Sequence, residues 1–273
     1  MFKLFFITNR PDVALMAEKA GIDRIWIDLE VLGKEERQKG LNTVKSKHSI
    51  EDIGAVSSVL SKSSLMVRIN PWNDNSKVEI DNVIKAGAEI IMLPYWKTKN
   101  EVQSFIDCID SRARTNLLLE TKEAVECIDA ILELDGIDEI HIGLNDLSIS
   151  YGFSNMFEPY ANGLLEQLSH KFKNKNIPFG IGGIGKIGGG FIPSPEQLLA
   201  EQHRIGSTAT ILSRSFLNTE GLSNEEIDEA LSKNVETLRE KEMDIYKMDK
   251  HQLDKNHDDI VNIINLIVNK DRV

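Results

Sequence analysis

Eight short apolar runs recur along the chain, and an amphipathic stretch follows each of them. The residues of each run are apolar almost throughout rather than at alternate positions, which is typical of parallel strands that are buried on both faces. The stretches between them carry apolar residues at helical spacing, and helices are predicted there, among them one over 121–134 and one over 159–174. The sequence therefore predicts an α/β fold of repeated strand–helix units. The predicted strands are Leu4–Asn9, Arg24–Glu30, Leu65–Asn70, Glu89–Leu93, Thr115–Glu120, Glu139–Gly143, Pro178–Ile184 and Thr208–Phe216.

The number of units favours a closed (β/α)8 TIM barrel, which needs about 250 residues, in this chain of 273. An open, doubly wound sheet is the alternative. We assign residues 1–218 to the barrel. The charged segment 219–273 is predicted to form extra C-terminal helices, which pack on the barrel or on a neighbouring subunit.

The charge balance excludes some classes of partner. The chain has 32 Lys and Arg against 43 Asp and Glu, a formal net charge of −11. Because nucleic acid and anionic membranes bind basic surfaces, we expect neither as a partner. No run approaches the ~18 apolar residues of a membrane helix, and the N-terminus lacks a signal-peptide pattern. Cys108 and Cys127 are interpreted as reduced thiols, so we expect a cytoplasmic protein.

Charged residues interrupt the apolar runs near the ends of four strands. In a (β/α)8 barrel the carboxyl ends of all strands meet on one face, which carries the chemistry of the fold. We therefore expect these side chains to share one rim. They are Asp28, Glu30, Arg68, Glu120 and Asp146.

Glu120 and Asp146 follow neighbouring strands, which lie ~4.8 Å apart in a sheet. Two carboxylates at such a spacing suit a hard divalent cation, Mg2+ or Mn2+, with water and substrate as the remaining ligands. The alternative is that each carboxylate caps a helix N-terminus. The sequence favours a metal site.

Arg68 interrupts an apolar strand, where a guanidinium is costly to bury without an anion. It is predicted to bind a substrate carboxylate through its two-pronged fork; the alternative is an internal ion pair with Asp28 or Glu30. Asp28 and Glu30 share one face of their strand by period-two alternation. Either one can pair with Arg68 or orient a water for proton transfer, so all three are candidate catalytic residues.

Three weaker features remain. Gly180–Gly190 is rich in glycine but lacks the Lys-Ser pair of a phosphate-binding loop, and is interpreted as a rim loop. His141 lies inside strand six and is interpreted as a packed residue. His48 ends the polar loop 31–48; it is a candidate for substrate binding, although a solvated loop histidine is the alternative.

Five segments resemble the HpcH/HpaI aldolase and citrate lyase family. The likeness runs from Phe5 to Phe216 in order and spacing. The combination of Glu120-Thr121 with the later Gly143 to Leu147 motif is the most specific part. The segments are IDLE at Ile27–Glu30, VRIN at Val67–Asn70, GAEIIMLP at Gly87–Pro94, LLLETKEAV at Leu117–Val125 and GIDEIHIGLNDLS at Gly136–Ser148.

The resemblance implies a pyruvate-type barrel with Mg2+ or Mn2+. The family's metal ligands match Glu120 and Asp146, and its arginine for the 2-oxo acid matches Arg68. The backbone amides of Asn145 and Asp146 would receive the substrate carboxylate. The resemblance also implies a homo-oligomer, a trimer or a hexamer, with the last helix on a neighbouring subunit.

Two positions depart from the family pattern. Its pyruvate aldolases place a histidine where this chain has Val31, and tend to have a glutamine where it has Leu118. We expect a metal-dependent carbon–carbon lyase acting through a pyruvate-type enolate on a 2-oxo acid or β-hydroxy carboxylate, with an aldehyde as the other substrate. A CoA-thioester lyase of the citrate or malyl-CoA type is one alternative. A non-catalytic, ligand-binding barrel that has lost its general base is another.

Overall fold

The computed structural model describes residues 1–33 and 47–271 and shows a closed barrel of eight parallel strands. Strand β1 pairs with both β2 and β8, which closes the sheet on itself. The predicted (β/α)8 barrel is therefore confirmed. The strands are β1 Lys3–Ile7, β2 Arg24–Asp28, β3 Ser64–Arg68, β4 Ile90–Leu93, β5 Arg114–Leu119, β6 Glu139–Ile142, β7 Phe179–Ile184 and β8 Ala209–Leu212.

Most strands end earlier than the apolar pattern predicts, and the difference matters for the site. Strand β2 ends at Asp28 and β5 at Leu119, so Glu30 and Glu120 lie just beyond the ladder. Strand β8 ends at Leu212, four residues before Phe216. Glu30 and Glu120 thus lie in turns, whereas Asp28 and Arg68 are paired with each other at the last positions of β2 and β3.

The helices surround the barrel in twelve described segments. They are α1 Pro11–Lys19, α2 Ile50–Ser57, α3 Ser76–Ala86, α4 Lys99–Ile109, α5 Lys122–Glu126, α6 Ile128–Ile131, α7 Leu144–Tyr151, α8 Glu158–Ala161, α9 Leu164–Asn174, α10 Pro195–Ile205, α11 Asn224–Tyr246 and α12 Lys250–Asp271. None of the described helices is long and apolar enough to cross a membrane.

Two predicted helices are each divided. The segment predicted as one helix over 121–134 is α5 and α6, which meet at Cys127, a residue outside helical geometry (φ −100°, ψ 7°). The segment predicted over 159–174 is α8 and α9, separated by Gly163 at φ +81°, a conformation that glycine adopts without strain. Helix α7, directly after β6, was not predicted.

The barrel interior is layered along its axis. Arg24 and Glu139, the first residues of β2 and β6, form a buried ion pair at the amino-terminal end, and Asn116 donates to Glu139 Oε1 at 2.9 Å. Burial alone would raise the pKa of Glu139, but the charge and hydrogen bond of Arg24 hold it below its ordinary value. An apolar layer that includes Phe5, Met66 and Leu118 separates this pair from the rim.

The C-terminal helices pack on the barrel. The buried face of α11 includes Leu231 and Val235, and Asn234 donates to the Phe216 carbonyl at 2.9 Å. Arg239 donates to the Phe2 carbonyl at 2.8 Å, which ties α11 to the start of β1. The division at residue 218, and a second contact of these helices with a neighbouring subunit in a trimer or hexamer, stay predictions.

His141 is fully buried inside the barrel, as predicted for a packed residue. Its ring lies against β7, where a Cβ at Gly180 would collide with it, so only glycine fits there. Neither ring nitrogen has a hydrogen bond with any described residue. Burial lowers the pKa of His141 to about 3, so the ring is neutral at pH 7.

This shift makes His141 a source of acid sensitivity. The unfolded chain protonates the ring below pH ~6.5, whereas the folded chain resists protonation until about pH 3. The contribution of the neutral His141 ring to stability is therefore complete above pH 6.5, and it is lost as the pH falls from there. Between pH 6.5 and 5, wild type should lose about 2 kcal/mol of unfolding free energy through this group, as measured by urea unfolding at each pH. His141→Leu should not show this loss. His251→Leu, at an exposed histidine of α12, is the control and should keep the wild-type slope; equal slopes for His141→Leu and wild type would contradict the assignment.

Candidate active site

A cavity of about 460 Å³ opens at the carboxyl ends of the strands. Its walls come from the ends of β1, β2, β3, β5, β6, β7 and β8, and from the first turn of α7. The predicted residues Asp28, Arg68, Glu120, Asn145 and Asp146 all line it. These five residues, from several strand ends, therefore share one cavity, whereas Glu30 is not part of its described lining.

Glu120 follows β5 directly and is only 2% exposed. The backbone N–H of Tyr95, after β4, donates to Glu120 Oε1 at 2.9 Å. On the other side, a Cβ at Gly143 would lie 2.9 Å from Glu120 Oε2, so glycine at the end of β6 leaves room for the carboxylate. The carboxylate is thus fixed between the ends of β4 and β6, the two strands that flank β5. It does not cap a helix, since the cap of α5 is the Thr121 hydroxyl, which accepts from Ala124 N–H.

Asp146 lies in the first turn of α7, two residues after Leu144 opens the helix. A carboxylate is favoured there, because the partial positive charge of the helix N-terminus faces it. The N-cap of α7 is Gly143, which has no side chain to fill the space above the first turn. Asn145 is exposed beside it on the cavity wall.

Glu120 and Asp146 together fit a hard divalent cation. Carboxylate oxygens are the ligands that Mg2+ and Mn2+ prefer, and Mg2+ commonly binds through one or two carboxylates with water and substrate completing its shell. The space that Gly143 leaves beside Glu120 Oε2 is compatible with such a ligand role. Within residues 1–33 and 47–271, no three or more His, Cys, Asp or Glu side chains cluster as a complete metal site.

Arg68 is held by a carboxylate pair. Its Nε and Nη2 atoms each donate to Asp28 at 2.8 Å, and Nη2 lies 3.3 Å from Glu30 Oε2. The guanidinium carbon also lies 4.8 Å from the ring centre of Trp26, within cation–π range. The internal ion pair, one of the two interpretations of Arg68, is thus present, and Asp28 occupies one edge of the fork.

Charge compensation keeps this arginine ionised. Burial would lower the pKa of Arg68, but the charges of Asp28 and Glu30, and then that of Glu120, raise it above its ordinary value. Arg68 Nη1 makes no hydrogen bond with a described residue and belongs to a side chain that lines the cavity. A permanently charged, immobile guanidinium is suited to bind or stabilise an anion.

His48 is placed against β2 rather than on the described cavity wall. Its Nδ1 accepts the backbone N–H of Asp28 at 3.0 Å. Acceptance at Nδ1 means that the neutral ring carries its proton on Nε2. The predicted role of His48 in substrate binding stays a prediction.

Sequence patterns did not identify every lining residue, and three of those missed contribute large side chains. Trp26 lies two residues before Asp28, so period-two alternation could have placed it on the same face. Arg214 follows β8, but the predicted strand ran to Phe216 and counted it as a strand residue. Met156 comes from the turn before α8, and no pattern in the sequence marks it.

The sequence profile of the HpcH/HpaI aldolase/citrate lyase family matches residues 1–159, more than half of the chain. This span contains Asp28, Arg68, Glu120 and Asp146. The chain belongs to this family. The resemblance seen in the strand-end motifs is confirmed.

Individual relatives are distant. A hydroxypyruvate/pyruvate aldolase of Sagittula stellata is 26% identical, over 40% of this chain and 54% of that protein. A 2-keto-3-deoxy-L-rhamnonate aldolase of Salmonella typhi is 27% identical, over 37% of this chain and 49% of that protein. The chain thus spans about half the length of the curated relatives it matches.

Solved structures agree in fold over most of the chain. An HpcH/HpaI aldolase from Desulfitobacterium hafniense superposes with a TM-score of 0.61 at 16% identity, covering 88% of this chain and 93% of that one. Citrate synthase SbnG gives a TM-score of 0.58 at 17% identity, covering 88% and 94%. At these identities the likeness establishes the barrel and not the reaction.

The chain departs from the aldolase pattern of the family at Val31. This residue is 62% exposed, and its backbone N–H donates to Asn70 Oδ1 at 2.9 Å. Asn70 therefore holds the turn after β2. The Val31 side chain, however, cannot transfer a proton. Leu118, the second departure, packs in the apolar layer of the barrel interior.

The buried ion pair should dominate the stability of the rim. Arg68→Met would leave Asp28 and Glu30 as adjacent buried carboxylates, and we expect a loss of about 3–5 kcal/mol of unfolding free energy, measured by urea unfolding in EDTA. Arg10→Met removes an ion pair with Asp12 in which both side chains are 42% exposed, and should cost less than ~1 kcal/mol. Equal losses in the two variants would show that the Arg68 cluster contributes no more than a surface pair.

Proposed function

We propose that the chain is a divalent-metal-dependent carbon–carbon lyase that acts through the enolate of a 2-oxo acid. The observation that carries the proposal is the shared cavity, in which Glu120 and Asp146 lie with the ion-paired Arg68. Membership of an aldolase/citrate lyase family supports it.

Glu120 and Asp146 would hold Mg2+ or Mn2+. When bound, the cation supplies Lewis acidity toward the carboxylate and keto oxygens of a 2-oxo acid. Glu120 suits a ligand because its carboxylate is fixed in place by Tyr95 N–H. A preorganised ligand needs no rearrangement as charge develops in the reaction.

Arg68 is proposed to stabilise the negative charge that forms on the enolate oxygen. Asp28 and Glu30 act as positioning residues, because they fix the guanidinium and keep it charged. With one edge of its fork on Asp28, Arg68 has Nη1 for the substrate. This arrangement favours single-point charge stabilisation by Arg68 over bidentate capture of a carboxylate.

The substrate carboxylate is proposed to bind the first turn of α7. The backbone amides of Asn145 and Asp146 lie there, at the N-terminus of a helix of eight residues. Such amides bind anions because they lack partners within the helix.

In the synthetic direction, a base removes a proton from the carbon next to the keto group, and the resulting enolate carbon attacks the carbonyl carbon of an aldehyde. One carbon–carbon bond forms, and the aldehyde oxygen takes up a proton; cleavage is the reverse. Because Val31 cannot serve as the base and His48 Nδ1 is occupied by the Asp28 N–H, we propose that this proton passes through a water to the Asp28 carboxylate, which lines the cavity.

The metal requirement is tested with the first half of the reaction alone. With pyruvate and Mg2+ in D2O, we expect the methyl protons of pyruvate to exchange for deuterium. The exchange is measured as the loss of the methyl signal in the proton NMR spectrum. EDTA should abolish exchange, and Glu120→Gln should lower the rate at least ~100-fold because it removes a fixed charge from the site.

Glu126→Gln is the matched control, at an exposed carboxylate in the next helix, and should exchange at the wild-type rate. Exchange that persists in EDTA would refute the metal-dependent mechanism. Binding of Mg2+ and pyruvate without any exchange would instead identify a ligand-binding barrel.

The role of Asp28 in proton transfer is tested by Asp28→Asn. We expect a ~100-fold or greater loss of exchange, the range of general acid–base catalysis, with unchanged Mn2+ affinity. Asp129→Asn, at an exposed carboxylate of α6, is the matched control and should exchange at the wild-type rate. An unaltered rate in Asp28→Asn would assign the proton transfer to another group.

A further inference from the structure

A second chamber of about 330 Å³ adjoins the candidate active-site cavity. The two share a wall made by Met156, Gly183, Ser213 and Ser215. The Ser213 and Ser215 hydroxyls lie 2.7 Å apart and are hydrogen-bonded to each other. The chamber lies on the β7–β8 side of the rim and extends toward α10.

The chemistry of the chamber differs from that of the cavity. Beyond the shared wall, its described lining is apolar apart from a glycine, and no ionisable side chain belongs to it. The cavity, by contrast, is lined by carboxylates and two arginines. The apolar residues of the chamber are Phe157, Phe191, Ile192, Pro193, Pro195 and Leu198.

Glycines of β7 and its following loop allow the chamber walls to approach each other. A Cβ at Gly183 would lie 2.9 Å from Ser213 Cβ, and one at Gly185 would lie 2.8 Å from Ser215 Oγ and 3.4 Å from Phe191 Cδ2. Larger residues would push the end of β8 and Phe191 outward. The glycine-rich segment thus shapes this chamber.

The apolar wall is unusually exposed. Phe191 is 46% and Ile192 68% accessible to solvent, although both are large hydrophobic residues. An apolar ligand would remove part of this surface from water, which is favourable in proportion to the area covered. The exposed wall is therefore a reason to expect a ligand rather than an empty groove.

We propose that this chamber is an acceptor subsite, which binds the alkyl or aryl part of the aldehyde substrate. The inference rests on the proposed lyase function. The charged groups of the cavity are suited to the 2-oxo acid, and the shared serine wall leads from them to the apolar lining. An apolar cavity of ~150 Å³ is enough to bind benzene, so the chamber has room for one aromatic ring or a short alkyl chain.

The subsite is tested by chain-length dependence. With pyruvate as donor and unbranched aldehydes from acetaldehyde to hexanal, we expect kcat/KM to rise about two- to fourfold for each added methylene. Phe191→Ala and Ile192→Asp should each flatten the dependence while leaving acetaldehyde addition and pyruvate exchange at wild-type rates. Tyr246→Ala, at an aromatic residue of α11 with the same 46% exposure, should keep the full dependence.

A binding measurement separates failure of the subsite from failure of the lyase function. Saturation-transfer NMR should show 1-hexanol and benzyl alcohol bound to wild type and to Glu120→Gln, and released in Ile192→Asp. Binding without any aldol turnover would support the subsite and refute the reaction. Absence of binding together with equal kcat/KM for all aldehydes would overturn the subsite. If alcohol binding is absent, kcat/KM is equal for all aldehydes and Ile192→Asp also abolishes self-association, this surface would instead be a contact between two copies of the chain.

Discussion

Closure of eight parallel strands brings every strand's carboxyl end to one rim, and the remaining features of the molecule depend on it. Charged side chains from β2, β3 and β5 could not otherwise meet those of α7, since they are separated by tens of residues in the chain. Once they meet in a largely buried setting, each charge needs a partner. The pairing of Arg68 with Asp28 and Glu30 meets that need at the rim.

Buried charges are paired at both ends of the barrel interior. The Arg24–Glu139 pair is buried at the amino-terminal end, and the Arg68 cluster at the carboxyl end, with an apolar layer between them. His141 adjoins that layer and stays neutral, because the surroundings penalise its charged form. The charged groups of the barrel interior thus lie at its two ends.

At the same rim, a cavity lined by charged residues adjoins an apolar chamber. Glu120 is fixed from both sides, by a backbone amide after β4 and by the absence of a side chain at Gly143. Across the cavity, β7 and β8 contribute glycines and serines and open toward an apolar chamber. The proposed reaction would use this division, with the anionic 2-oxo acid in the cavity and the less polar aldehyde in the chamber.

The sequence by itself determined the strand number, the rim and its charged residues, because the apolar runs and the residues that end them are local features. Motif spacing also identified the family, which the profile match confirms. The breaks in the two divided helices were missed, because the φ and ψ values at Cys127 and Gly163 decide them. Helix α7 was missed as well. Only the tertiary structure decided that Asp28 occupies the fork of Arg68, that His48 contacts the Asp28 amide, and that Arg214 and Met156 reach the cavity. These are contacts between distant segments, and their geometry depends on barrel closure rather than on any local pattern.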